Sequence, residues 1–155
     1  MGVVARTSWD GPAIEAKVTA SAERALLSAG SEVQVQMRTN ISTTKGPSKP
    51  GQFPGYQTRN LARSVTVENA SMTVTNVDSF KDENNINRNI LSYVREMKIR
   101  VGSPVFYGKY LEYGTSRMAA RPWVVRSFMM AKDRAKARFD ATMRAMLGGN
   151  GGGAP

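Results

Sequence analysis

Apolar residues recur at steps of three and four along the first quarter of the chain, which is the period of one buried helix face. Asp10 and Pro12 are suited to the helix cap and the first turn. Gly30 and Ser31 allow the helix to end there, with an alternating strand after them. The helical phase runs through both residues, so we predict one helix to about Asn40. The predicted buried face comprises Ile14, Val18, Ala22, Ala25, Leu26, Ala29, Val33 and Met37.

Short alternating runs of β-branched residues follow at 64–67 and 72–77. They predict a hairpin with residues 68–71 as its turn, and residues 98–101 predict a further strand. Residues 42–58 contain three prolines and three glycines and predict an extended loop, with a short helical turn at about 58–63 after it. The polar, Asn-rich segment 80–97 is interpreted as an insertion.

Two helices are predicted near the C-terminus. The first spans 106–113, with Tyr107, Tyr110 and Leu111 on one face, and Gly114 ends it in the left-handed conformation. The second begins at Pro122, because proline suits a first turn, and continues to about Leu147. One of its faces comprises Val125, Phe128, Met129, Ala135, Phe139, Met143 and Met146, with Lys132 and Lys136 in the middle of it.

This mixed pattern predicts that the first two turns of the last helix pack into the core and that the rest meets a partner or solvent. The predicted fold class is α+β, with a long N-terminal helix and a C-terminal helix packed on a small, mainly antiparallel sheet. At 155 residues we expect a single domain over 1–147, followed by a flexible Gly-rich tail at 148–155. The N-terminus has no long apolar run and therefore predicts neither a signal peptide nor a membrane span, so we expect a soluble protein made in the cytosol.

The net charge is the feature of the composition that bears most on function. The chain carries 22 Lys and Arg against 12 Asp and Glu, a net charge of +10, and it contains neither histidine nor cysteine. An imidazole base, a thiolate nucleophile and a Cys/His zinc site are therefore excluded. From Arg117 onward eight basic residues stand against two acidic ones, which indicates a polyanion such as DNA or an acidic protein face as a neighbour.

Two functions follow from charge and spacing alone. The basic last helix, with Trp123 and Phe128 among its arginines and lysines, suits a non-specific DNA-binding module, although a solvated basic face explains it equally well. Glu96 and Lys98, with Asp78 or Asp82 upstream, resemble the carboxylate and lysine set with which nucleases hold Mg²⁺. We favour the interpretation of Glu96 and Lys98 as surface residues at an edge strand, and we expect no enzymatic activity, metal or cofactor.

A third function comes from a family resemblance. The run Tyr110-Leu-Glu-Tyr-Gly-Thr115, followed by Arg117-Met-Ala-Ala-Arg-Pro-Trp123, resembles the signature of the tail-completion (head-tail joining) proteins of long-tailed bacteriophages. Upstream, 58–64 stands where that family has a Thr-Gly-x-Leu-x-x-Ser-like segment. The resemblance covers roughly residues 12–146. Arg59 replaces the usual glycine, and the 80–97 segment is longer than is typical.

The resemblance implies a structural virion protein of the neck, made in the host bacterium's cytoplasm. Such proteins form a ring, here of about six or twelve subunits, between the head's portal and adaptor and the tail terminator or tube, with genomic DNA passing through and no membrane involved. It implies a structural motif of Tyr110, Glu112, Tyr113, Gly114, Thr115, Arg121, Pro122 and Trp123. The candidate contacts with partners or with channel DNA are Lys45, Lys49, Arg59, Arg63, Lys132, Arg134 and Lys136.

Overall fold

The protein has a mixed α+β fold, as predicted. A computed structural model describes residues 10–69, 73–74 and 97–148. In chain order the elements are α1 (Gly11–Ser42), α2 (Asn60–Arg63), β1 (Thr66–Asn69), β2 (Thr73–Val74), β3 (Ile99–Gly102), α3 (Gly108–Tyr113) and α4 (Val124–Leu147). Most of the predicted insertion at 80–97 and of the predicted tail at 148–155 lies outside the described residues.

Helix α1 runs unbroken through Gly30 and Ser31, which confirms the prediction of one long helix. Asp10 caps it, because its side chain accepts a hydrogen bond from the backbone N–H of Ala13. Gly30 is buried where the helix crosses the sheet. A Cβ there would lie 2.7 Å from Val67 Cγ1 and 2.8 Å from Ile99 Cδ1. Glycine is therefore what allows helix and sheet to approach so closely.

The three strands form an antiparallel sheet in the order β2-β1-β3. Val67 pairs with Val74 on one side and with Val101 on the other. The first strand of the hairpin was predicted two residues too early, whereas the predicted second strand includes β2. Glu68 and Asn69 belong to β1 and not to the turn, because every residue of this central strand is buried and paired with β3.

Helices α1 and α4 pack antiparallel. Near one end of their contact, Asn40 Nδ2 donates to Ser127 Oγ at 2.8 Å. Near the other end, Thr142 lies within hydrogen-bonding distance of Ser28, 3.4 Å between hydroxyl oxygens. With this register the first turns of α1 extend past the end of α4, so Ile14 and Val18 are exposed and the predicted buried face is wrong there.

The predicted start of α4 is also wrong, and its predicted packing face is wrong in part, because Ala135 of that face is buried but its first three residues are not. The helix begins at Val124, two residues after Pro122. Its buried residues are Ser127, Ala131 and Ala135, spaced by four, whereas Val125, Phe128 and Met129 of the predicted face are exposed. Small side chains let the two helix axes approach, and this decides which face turns inward.

The core lies between the two long helices and the segment that precedes the sheet. Met37, Ile41, Leu61, Val65 and Trp123 are its larger members. The carbonyl oxygen of Val65 accepts from Gln34 Nε2 at 2.7 Å and from Arg38 Nη2 at 2.9 Å, which explains why a glutamine is buried on α1. Within the described ranges, no helix is both long and apolar enough to span a lipid bilayer.

Candidate functional site

The segment Tyr110–Trp123, here called the joint, links α3 to α4. Helix α3 ends where Gly114 takes a φ of 77°, a value that favours glycine, and its N–H donates to the Tyr110 carbonyl at 2.8 Å. Its ψ of −177° places it outside the left-handed helical region that we predicted. The chain then makes a tight turn, in which the Thr115 N–H donates to the Met118 carbonyl at 2.8 Å.

Glu112 of α3 caps the N-terminus of α4. Its Oε2 accepts from the backbone N–H of Trp123 at 2.6 Å and of Val124 at 2.8 Å, and its Oε1 accepts from Val125 at 3.3 Å. The structure shows the carboxylate buried against three N–H groups that the helix leaves without internal partners, next to the positive end of the helix dipole.

Trp123 is the joint's contribution to the core, with 2% of its surface exposed. Its indole Nε1 donates to the Gly108 carbonyl at 3.1 Å. A Cβ at Gly108 would lie 3.4 Å from Trp123 Cζ2 and 3.5 Å from Leu61 Cδ1, so α3 starts directly against the indole. Glu112 and Trp123 together fix the position of α4 relative to α3.

Arg121 ties the joint to the long loop that follows α1. We call residues 44–59 the clasp loop. The Arg121 backbone N–H donates to the Leu111 carbonyl at 2.7 Å, and its side-chain Nε donates to the Ser48 carbonyl at 3.0 Å. Its Nη1 donates to the Ala119 carbonyl at 3.2 Å. The next residue, Pro122, leads into Trp123 and has no N–H of its own to satisfy.

The clasp loop has a defined conformation of its own. Its two ends meet where the Tyr56 N–H donates to the Thr44 carbonyl at 2.8 Å and the Gly46 N–H donates to the Tyr56 carbonyl at 2.9 Å. On α4, Arg126 Nη1 donates to the Gly51 carbonyl at 2.7 Å, and its guanidinium lies 4.6 Å from the centre of the Phe53 ring. The loop is therefore held against the joint and α4 by arginine side chains.

The tyrosines of the motif differ in position. Tyr107 and Leu111 pack against the core, but Tyr110 is exposed and makes an edge contact with Phe106, with ring centres 6.4 Å apart. Tyr113 is 81% exposed, and Thr115 is exposed as well. Of the three residues predicted to share one face, only Tyr107 and Leu111 pack against the core, and Tyr107 directly precedes α3.

The candidate partner contacts lie on three separate elements, and all seven side chains are exposed. Three are on the clasp loop (Lys45, Lys49 and Arg59), one is the last residue of α2 (Arg63), and three are on α4 (Lys132, Arg134 and Lys136). Arg134 donates from Nη2 to Gln36 Oε1 of α1. The structure therefore does not bring these residues together into one site.

Sequence reasoning missed an apolar surface at the start of α4. We call Val125, Phe128, Met129 and Met130 the α4 apolar patch, and these side chains are between 46% and 62% exposed. Val125 and Phe128 also border an apolar groove of about 350 Å³ with Val33 and Val101. The signal that would have found this surface is the four-residue spacing of Ser127, Ala131 and Ala135, which marks these small residues, and not the larger apolar side chains, as the packed ones.

Most of the residues on which the nuclease hypothesis rests lie outside the described residues. Asp78, Asp82 and Glu96 all lie there, and Lys98 is exposed just before β3. Among the residues that the structure describes, no three His, Cys, Asp or Glu side chains are grouped to hold a metal ion.

Comparison of the chain with protein-family models, with curated proteins and with solved structures found no match.

Proposed function

We propose that this protein is a structural subunit of the head-tail connector of a long-tailed bacteriophage. In this role it forms a homo-oligomeric ring in the neck, joins the portal and adaptor complex to the tail, and lets DNA pass. The observation that carries the proposal is the use of Glu112, the one carboxylate of the motif that resembles tail-completion proteins. Within the described part of the chain its hydrogen bonds go to the backbone of Trp123, Val124 and Val125 at the start of α4, which supports an architectural role for the motif.

The α4 apolar patch supports assembly. Four large apolar side chains on consecutive turns remain exposed in the isolated chain, and a neighbouring subunit would remove them from water. Each fully buried side chain of this size contributes about 1.5–3 kcal/mol. Burial of these half-exposed side chains would favour a ring contact through this surface without any rearrangement of the core.

The position of the charge supports a neighbour that is acidic. Lys132, Lys136 and Arg144 extend from α4 into solvent, and α4 contains only Asp133 and Asp140 to offset its basic residues. In a ring this surface faces either an acidic subunit or the DNA in the channel. Both are consistent with the net charge of +10.

The test is the position of the protein in purified particles. We expect it at the head-tail junction, and particles made without it should accumulate as separate heads and tails. The replacement Phe128→Ser in the α4 apolar patch should block joining while leaving the melting temperature near that of the wild type. Val35→Ser, at an equally exposed apolar position on α1, is the matched control. Absence of the protein from the junction would refute the connector role.

A non-specific DNA-binding module is the second candidate, and the exposed cations of α4 favour it. Binding of free DNA by the monomer at physiological ionic strength, weakening steeply as salt is raised, would support this alternative. A metal-dependent nuclease is the third. Mg²⁺-dependent cleavage that is lost in Glu96→Gln would replace both structural hypotheses.

A further inference from the structure

The clasp loop covers a cavity of about 490 Å³, a size typical of sites that bind a ligand. Its floor is apolar and includes Ile41, Leu61 and Leu111, while Arg59 and Arg121 supply its positive charge. No acidic residue occurs among the described residues that line it. The cavity therefore combines an apolar base with uncompensated positive charge.

Two polar groups at this cavity have unused hydrogen-bonding capacity. Ser48 Oγ is shielded from solvent and makes no hydrogen bond with any described residue. The side-chain hydrogen bonds that Arg121 makes within the described ranges use Nε and Nη1, which leaves Nη2 for another acceptor. A buried hydroxyl without a partner is unfavourable, so a ligand with acceptor oxygens would be stabilised here.

Arg59 gives an independent indication of a ligand. Its φ of 61° makes it the one non-glycine residue with a positive φ in the described part of the chain. This conformation is unfavourable for a residue with a Cβ. The side chain is exposed, and its guanidinium lies 4.7 Å from the centre of the Tyr56 ring at the cavity. Backbone strain of this kind is found mostly where function requires the residue.

We propose that the cavity binds an acidic segment of a second copy of this chain, residues 78–83, which read Asp-Ser-Phe-Lys-Asp-Glu. This rests on the proposed ring, because it requires a neighbouring subunit. The segment carries three carboxylates against one lysine, which complements Arg59 and Arg121. Its single aromatic residue, Phe80, supplies an apolar side chain for the floor, which a DNA phosphate would leave unfilled.

The contact is heterologous, since the segment of one subunit enters the cavity of the next. Repeated around a closed rotation, such a contact produces a ring and leaves no subunit with a free cavity. This assigns the strained Arg59 a role in assembly that the packing of the isolated chain does not supply.

A synthetic peptide of residues 76–84 with a fluorescent label tests the proposal by anisotropy. The receptor is the full chain with Asp78→Asn, Asp82→Asn and Glu83→Gln, so that its own segment does not compete. We expect saturable binding that weakens about tenfold when Arg59→Gly is added, the loss expected for a charge-assisted hydrogen bond. Arg59→Gly should melt no lower than its parent, because glycine relieves the φ. Arg63→Ala, which removes an exposed cation outside the cavity lining, should leave binding unchanged.

Three results would overturn the assignment. They are no binding at up to about 1 mM peptide, equal binding of the peptide with amides in place of its carboxylates, and full binding by the Arg59→Gly receptor. Displacement of the peptide by a DNA oligonucleotide, dependent on Arg59, would instead assign the cavity to phosphate and also contradict the proposal. The peptide experiment and the connector role can fail separately, because the connector role is tested by the position of the protein in the particle. If the protein lies in the neck but does not bind the peptide, only the cavity assignment is refuted.

Discussion

Trp123 is joined to α3 twice across the loop between α3 and α4, once through the side chain of Glu112. The Glu112 carboxylate accepts from the Trp123 backbone N–H at 2.6 Å, and the Trp123 indole returns a hydrogen bond to Gly108 at the start of α3. One residue caps the helix that the other begins. The joint therefore depends on both residues, although they are eleven positions apart.

Glu112→Ala should destabilise the fold by about 2–3 kcal/mol, because it leaves buried N–H groups without an acceptor. Glu112→Gln keeps an acceptor but loses the charge at the helix N-terminus, and we expect a loss of about 1 kcal/mol. Urea unfolding followed by circular dichroism measures both. Asp133→Asn, an exposed carboxylate on α4, is the control and should change stability by less than about 0.5 kcal/mol. Equal stability of Glu112→Ala and wild type would contradict the capping role.

Trp123→Phe removes the indole hydrogen bond and part of the buried area, and we expect a loss of about 1–2 kcal/mol. Trp123→Ala should cost about 3–5 kcal/mol and prevent assembly. The exposed Tyr113→Ala is the aromatic control, with an effect within about 0.5 kcal/mol. If Trp123→Ala folded normally and only assembly failed, the residue would belong to an interface and not to the core.

Gly30→Ala should have two opposing effects on the free energy of unfolding. Alanine favours a helix interior by about 1 kcal/mol, but overpacking against Val67 and Ile99 costs about 1–3 kcal/mol. Because both neighbours are stiff β-branched side chains, we expect net destabilisation. Adding Val67→Ala makes room for the new methyl group, so the double variant should lose less than the sum of the single losses. Strict additivity in thermal unfolding would show that Gly30 is not held by this contact.

Glu68 should make stability depend on pH. It is 5% exposed on the central strand, and burial raises the pKa of its carboxyl, while the charge of Arg100 opposite it acts in the other direction. The folded protein thus favours protonated Glu68. This contribution is complete at pH values below the ordinary pKa of 4.5 and is lost as pH rises through the raised folded value.

Glu68→Gln imitates the protonated form, so it should raise the melting temperature at pH 7 and have little effect near pH 4. Melting curves of variant and wild type between these pH values give the difference directly. The exposed Glu15→Gln is the control for the substitution itself. A variant less stable than wild type at pH 7 would mean that the attraction to Arg100 outweighs the cost of burial.

Local sequence determined the elements. The helical period predicts α1 through Gly30, Asp10 supplies its cap, and alternating β-branched residues identify the strands to within two positions. Helix and strand patterns depend on residues two, three or four positions apart, so the sequence alone is enough to predict these elements. The α+β class follows from them.

Tertiary structure alone decided how these elements meet. On α4 the buried residues are the small ones and not the most hydrophobic ones. Ser127, Ala131 and Ala135 let α1 approach more closely than Phe128 or Met129 would. Glu112 binds backbone N–H groups eleven to thirteen residues ahead, and such groups are the same in every sequence. The period of a sequence shows which side chains are apolar. The distance between packed helices and the backbone groups that a side chain binds depend instead on which distant segments the fold brings together.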